Sequence, residues 1–352
     1  MSPEAGRQLV EARARELGFA QVGVCDAAPT VFDDALQAWL DDGQHGSMSY
    51  LERHRELLRD PAGLLPGAQS IICVADQYAT GQHEPDGPGR IPRYARGRDY
   101  HKVIRRRLHA LADALRETWP DDEFRACVDT APLLEREYAA RAGLGAIGKH
   151  TLLLRPGHGS WSLLGEIVTT RTLAPSRDDS ALLDPCGSCT RCIDACPTDA
   201  ITPWSVDARR CIAYLTIEHR ERIDPADHAA IGHWLFGCDI CQEVCPHGTP
   251  TRRSRRAAEI PEAYTPRRDR FDLLDVLSWD SDTRLERCAG TALTRARLEM
   301  MKRNALIVAG NVLAKGPAPA LQSRIEELAA DPDESELVRE TARDVLDRLV
   351  AE

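Results

Sequence analysis

The spacing of apolar positions changes twice along the chain. In the first part, helical and strand periods alternate. Leu9, Val10, Ala14 and Leu17 recur at the period of an amphipathic helix over residues 4–18, and Gly18 suits its end. FAQVGVCD then reads as a strand, FDDALQAWLDDG as a helix, and ERHRELLRD as a charged helix stopped by Pro61. SIICVADQY is short, apolar and β-branched, the pattern of a strand covered on both faces, which places it centrally in a sheet. Residues 81–97, rich in Gly, Pro, His and Arg and without a period, form a long loop. RDYHKVIRRRLHALADALRETWP returns to helix, and its Lys102, Arg105, Arg106 and Arg107 read as a solvated face. The strand FRACVD ends at Asp129, a helix runs from near Pro132 to Gly143, and SWSLLGEIVTT is a further strand. Such alternation over residues 19–170 predicts an α/β or α+β domain.

The end of the chain reads differently. TRRSRR, with Arg252, Arg253, Arg255 and Arg256, and PRRDR, with Arg267, Arg268 and Arg270, are basic and turn-rich. A helical stretch then carries Arg295, Arg297, Lys302 and Arg303, expected as a basic surface. PALQSRIEELAADPDESELVRETARDVLDRLV gives two amphipathic helices, with Val338, Ala342, Val345 and Leu349 on one face of the second. They form an antiparallel, HEAT-like pair.

Between these parts lies the candidate chemistry. Cys186, Cys189, Cys192 and Cys196 follow C-x2-C-x2-C-x3-C-P, in which three thiolates hold one 4Fe-4S cluster and the fourth reaches a second. Cys238, Cys241 and Cys245 repeat the tail of that pattern, and Cys211 replaces its missing first member. The assignment is therefore crossed: Cys186, Cys189, Cys192 and Cys245 for the first cluster, Cys238, Cys241, Cys211 and Cys196 for the second. Zinc knuckles or disulfides account less well for the cysteine-proline after an x3 gap. Cys25, Cys73, Cys127 and Cys288 lack ligand spacing and read as packing residues.

Length and charge narrow the function. The 352 residues allow more than one domain, and a net charge of -10 argues against a general nucleic-acid binder while permitting local basic patches. No signal-peptide core or run of 18 apolar residues is present, so a soluble cytoplasmic protein without membrane contact is expected. GLGAIGK imitates two phosphate-binding motifs, but its order is helix, loop, strand, and both motifs need strand, loop, helix. Gly143, Gly145 and Gly148 instead read as points of close backbone approach. Asp129, at a strand-to-helix junction, reads either as a helix cap or as an acid.

RYARGRDYHK, VDTAPLLER, AGLGAIGKHTLL, GSCTRCIDACPT, CIAYLTIEHR, FGCDICQEVCP and ALTRA followed by RNALIVAGN together closely resemble epoxyqueuosine reductase. The resemblance runs from the N-terminal helix to about Asn311. It implies an oxidoreductase that uses cobalamin and two 4Fe-4S clusters to reduce epoxyqueuosine at the tRNA wobble position to queuosine, the last step of queuosine biosynthesis. The fold it implies is α+β: an α/β-type cobalamin-binding catalytic domain over 1–175, a bacterial ferredoxin-like module over 176–250, and a basic linker with a helical tRNA-binding region over 251–352. Asp129 matches the family's proton donor and Arg136 a corrin contact. Tyr94, Gly145, Gly148, Lys149 and Ala213 are expected around the cobalamin, and Glu218 and Arg220 at the tRNA, joined by Arg295, Arg297, Lys302 and Arg303. A monomer that takes electrons from flavodoxin or ferredoxin and binds the anticodon arm is expected. Ala146, His150, Ser162, Leu163 and Ala213 depart from the residues the family often has, His150 standing where Asn is common. A corrinoid reductive dehalogenase acting on a small organohalide is the alternative; such enzymes typically carry a twin-arginine leader and need no basic tail.

Overall fold

The computed structural model describes residues 1–81, 86–155, 157–176, 184–248 and 260–351. Its catalytic part is built on one antiparallel sheet in the order β1 (Gln21–Asp26), β2 (Ser70–Gln77), β4 (Ser162–Thr169), β3 (Phe124–Cys127). The strand SIICVADQ is central, as its composition requires. Ile72 and Val74 point to one apolar layer and Ile71, Cys73 and Ala75 to the other. The first layer is covered by helices α1 (Pro3–Glu16) and α2 (Tyr100–Thr118), the second by α3 (Glu135–Arg141). Gly165 in β4 lets α2 lie close, since a Cβ there would stand 2.6 Å from Ile104 Cγ2. All-antiparallel pairing makes the domain α+β.

The face of α2 is not wholly solvated. Arg107 turns inward, lies 3.8 Å over the Phe19 ring and pairs with fully buried Asp76. The same oxygen, Oδ2, also accepts the Tyr264 hydroxyl at 2.8 Å, so one oxygen of the buried carboxylate is paired and hydrogen-bonded.

Cys25, Cys73 and Cys127 are buried in the sheet's second layer, and Cys288 in the C-terminal core. Residues 298–351 form α5 (Leu298–Leu313), α6 (Pro319–Ala330) and α7 (Glu336–Ala351). Val338, Ala342 and Val345 are fully buried, and Leu349 packs against the same cluster. That cluster also takes in Ile91 and Ala95 from the long loop and Leu235 and Phe236 from the cysteine module. One core therefore joins all three parts of the chain. No described helix is long and apolar enough to cross a membrane.

Candidate active site and cluster centre

Asp129 follows β3 with φ 42, a left-handed conformation uncommon for a residue with a side chain. It is not a helix cap: the cap position of α3 is Leu134. The strained turn instead carries its carboxylate toward the first turn of α2. There His101 Nε2 lies 3.0 Å from Asp129 Oδ2, and His101 Nδ1 lies 2.8 Å from Asp99 Oδ1. Asp99 caps α2 by accepting from the His101 backbone N–H at 3.1 Å. The Tyr100 ring stacks on the imidazole at 4.0 Å, and Tyr94 meets Tyr100 edge-on at 6.0 Å.

With a carboxylate at each ring nitrogen, His101 is best satisfied as an imidazolium donating to both. Burial alone would lower its pKa, but the hydrogen bonds it donates to Asp129 and Asp99 raise it above the ordinary histidine value. Asp129 moves the other way. Burial would raise it, yet His101, the Tyr100 hydroxyl and Arg136 together hold it below the usual carboxylate value. Beside them, burial and the Asp129 charge push Glu135 up to about 7. The Asp129 side chain is 46% exposed, and Arg136 is exposed, donating to the Thr151 carbonyl at 3.2 Å and its hydroxyl at 3.3 Å.

Glu218 stands close enough for its charge to act on Tyr94 and Tyr50. Arg295 holds it by two bonds of 2.8 and 2.6 Å. Arg220 and Arg297 are exposed. Lys302 and Arg303, expected on the same surface, are interior. Lys302 is buried against Glu334 at 2.5 Å. Arg303 is 0% exposed, donating to the carbonyls of Leu215, His219 and Glu221 at 2.7, 2.7 and 2.6 Å. The reason is that α5 is apolar around most of its circumference, so the cations inside it have no outer face. Arg252, Arg253, Arg255 and Arg256 lie outside the described residues.

The cysteines gather as two groups. Cys186, Cys189, Cys192 and Cys245 line one small cavity with His150, Arg191, Pro246 and His247. Cys211 and Cys241 act electrostatically on Cys238, Cys196 on Cys211, and Cys211, Cys192 and Cys196 on Cys241, so the two groups lie close to each other. Cys211 precedes α4 (Ile212–Ile217), whose Ala213 and Tyr214 N–H groups face its sulfur. Among the described residues no three such side chains close on a single metal ion. In a cubane each thiolate binds its own iron, so four of them need not converge on one point as they would around zinc.

Three residues expected at the cobalamin have other neighbours. A Cβ on Gly145 would stand 2.6 Å from the Leu154 carbonyl oxygen, and one on Gly148 2.5 Å from Leu154 Cδ1, so their close approach is to the facing strand of a short hairpin. Lys149 is 7% exposed, and its Nζ donates to the Gly187 and Cys189 carbonyls at 2.7 and 3.0 Å, binding the loop of the first cysteine group. Tyr94 stays beside Asp129. The sequence reading passed over Asp99 and His101; the signal for them was a helix-capping Asp with His two residues later, inside the first turn of α2.

A family model of the 4Fe-4S double cluster binding domain matches residues 185–248, and one described as epoxyqueuosine reductase QueG, DUF1730, matches residues 59–130. The epoxyqueuosine reductase of Gloeobacter violaceus (strain ATCC 29082 / PCC 7421) is 42% identical over 316 residues, 87% of this chain and 95% of its own. That of Vibrio cholerae serotype O1 is 38% identical over 338 residues, 93% of this chain and 87% of its own. The chain belongs to the epoxyqueuosine reductase family. A crystal structure of an epoxyqueuosine reductase with a tRNA-Tyr epoxyqueuosine-modified tRNA stem loop has a TM-score of 0.85 at 27% identity, covering 97% of this chain and 89% of that one. The Bacillus subtilis epoxyqueuosine reductase, described with its catalytic aspartate loop swung out of the active site, gives 0.83 at 25% identity, covering 97% and 90%. The family uses cobalamin and two 4Fe-4S clusters, and with this membership the reductive dehalogenase alternative is set aside.

Proposed function

We propose that this chain reduces epoxyqueuosine in the anticodon arm of tRNA to queuosine, with Asp129 and His101 as its proton source. The observation that carries the reading is the chain Asp99, His101, Asp129, which ends in a half-exposed carboxylate on a strained loop. Removing an epoxide oxygen as water consumes two electrons and two protons and leaves an alkene. Cobalamin, reduced one electron at a time through the clusters, supplies low-potential electrons. Its site fits beside Asp129, where an exposed guanidinium, Arg136, adjoins the carboxylate, and where Tyr94 and Tyr100 form an apolar support.

The residues' own work is protonic. His101 holds a proton between two carboxylates, and Asp129 passes it to the departing oxygen, so acid strength is drawn from the pair. Glu218 and Arg295 stand nearby, where a loop base splayed from the anticodon arm would enter, and exposed Arg220 and Arg297, the latter 3.9 Å from Glu299, present guanidinium groups to phosphates. In this reading the ligand sets are those expected from spacing, residues 1–175 bear the cobalamin, 176–250 the clusters and 251–352 part of the tRNA surface. The enzyme works as a cytoplasmic monomer fed by flavodoxin or ferredoxin.

Asp129→Asn tests the assignment. It keeps the shape and removes the transferable proton, so cobalt, iron and tRNA affinity should be retained while conversion of epoxyqueuosine tRNA in a single turnover falls by at least ~100-fold, the usual weight of a general acid. Undiminished turnover by the variant would remove Asp129 from the reaction.

A further inference from the structure

Among the described residues, a buried donor beside the first cysteine group has no partner. His150 is 3% exposed, and its Nδ1 accepts the Leu152 backbone N–H at 3.2 Å. A nitrogen that accepts carries no proton, so the imidazole is neutral and its hydrogen is on Nε2. Nε2 is buried with no hydrogen-bond partner among the described residues, while the ring lines the cavity formed by Cys186, Cys189, Cys192 and Cys245. Buried N–H groups are almost always satisfied, and leaving one unmade is expensive. Two other groups already face this loop. The Lys149 backbone N–H is 3.4 Å from Cys186 Sγ, and His247 Nε2 is 2.8 Å from the Pro185 carbonyl oxygen, so His247 is engaged elsewhere.

We propose that His150 donates its Nε2–H to a sulfur of the first cluster and thereby raises that cluster's reduction potential. The added electron of the reduced cluster increases the charge on its sulfurs, so a fixed N–H dipole aimed at them favours the reduced state. Hydrogen bonds to the sulfurs are one of the levers that set cluster potentials. The inference rests on the ligand set proposed above, with Cys186, Cys189, Cys192 and Cys245 on one cluster. It also gives the departure at position 150 a consequence: an imidazole reaches farther than the shorter amide of Asn, and its ring is locked by Leu152.

The test uses anaerobically loaded full-length protein. Histidine labelled with ¹⁵N should give a nitrogen coupling, and exchange into D2O a deuteron coupling, in the pulsed EPR spectrum of the reduced first cluster. His150→Phe keeps a ring of similar shape and lacks the N–H. Both couplings should vanish in it, and at fixed poise the reduced-to-oxidised ratio of that cluster should fall about tenfold, the weight of one hydrogen bond to a charged group, with the second cluster unchanged. Cys186→Ala and Cys245→Ala identify the signals. If they abolish different signals, the ligand set is wrong, and the His150 effect is still read on the Cys186 cluster. Absence of the ¹⁵N coupling in the unmodified protein overturns the proposal, even if His150→Phe fails to hold iron. So does a His150→Phe protein whose potentials are unchanged, or in which both clusters shift equally.

Discussion

Arg303→Met should loosen the end of α4 by about 3–5 kcal/mol, the cost of leaving several buried carbonyls without their donor. The magnitude follows from what Arg303 touches. Its guanidinium satisfies the carbonyls of Leu215, His219 and Glu221, and its Nε and Nη2 reach Asn304 Oδ1 at 3.0 and 2.8 Å. Burial pulls its pKa down to about 10, so it is still a cation at neutral pH. Methionine fills much of the volume but leaves three carbonyls without a donor, at ~1–3 kcal/mol each, partly offset by no longer desolvating a charge. The assay is hydrogen exchange on the loaded enzyme, read at the amides of Leu215, Thr216 and Ile217. A loss of ~3 kcal/mol in local opening accelerates their exchange about 150-fold. Arg303→Lys, which keeps the charge without the fork, should fall between the two proteins. Acceleration of less than about tenfold in Arg303→Met would refute the reasoning, because it would mean that water replaces the guanidinium without penalty.

Three further outcomes are expected. Cys245→Ala should remove the cluster of Cys186, Cys189 and Cys192 and spare its sequence neighbours Cys238 and Cys241, as site-resolved EPR will report. The Asp99, His101, Asp129 chain should stabilise the fold through a middle pH window: the His101 contribution is complete below its unfolded value near 6.5 and is lost as pH rises through its raised folded value, while the Asp129 contribution is lost as pH falls through its lowered one. The single-turnover rate should accordingly decline on the alkaline side, and His101→Gln should remove that limb from the rate profile. Double replacement of Arg295 and Arg297 by Gln should weaken tRNA binding and flatten its log-log salt dependence by roughly two, with thermal stability changed by less than ~1 kcal/mol because the Glu218 pair is at the surface; an unchanged salt slope would put the phosphate contacts elsewhere.

The cysteine module was readable because a cluster dictates ligand spacing within a few residues, so C-x2-C-x2-C-x3-C-P carries its geometry in one dimension. SIICVADQ was readable for a similar reason, since a strand covered on both faces has no polar alternation to mislead. Lys302 and Arg303 were misread as surface because a charge in a helix usually faces water. The contrary signal was present in the apolar residues that flank them on every side, Met300, Met301, Ala305 and Leu306, all buried. Gly145 and Gly148 correctly announced close approach, but nothing local says whether a glycine makes room for a ligand or for its own chain. Asp129 gave only a weak backbone signal: aspartate is enriched at positive φ but takes it in few places, and the conformation there is upheld by contacts more than 20 residues away in sequence, at His101.

The clamp made by α5 also bears on how the enzyme is made. Asn304 donates to the Thr216 and Leu235 carbonyls at 2.9 Å each, and the Thr216 hydroxyl in turn accepts the Gly237 N–H at 2.8 Å. The segments that present Cys211 and Cys238 are thus tied together by residues that leave the ribosome after all eight cysteines of the module. During synthesis the thiolates emerge before the part of the chain that holds them in register. Iron loaded at that stage would sit in an open, oxygen-accessible frame. Truncation before α5 should therefore yield a protein that binds iron incompletely even though it retains every one of these cysteines.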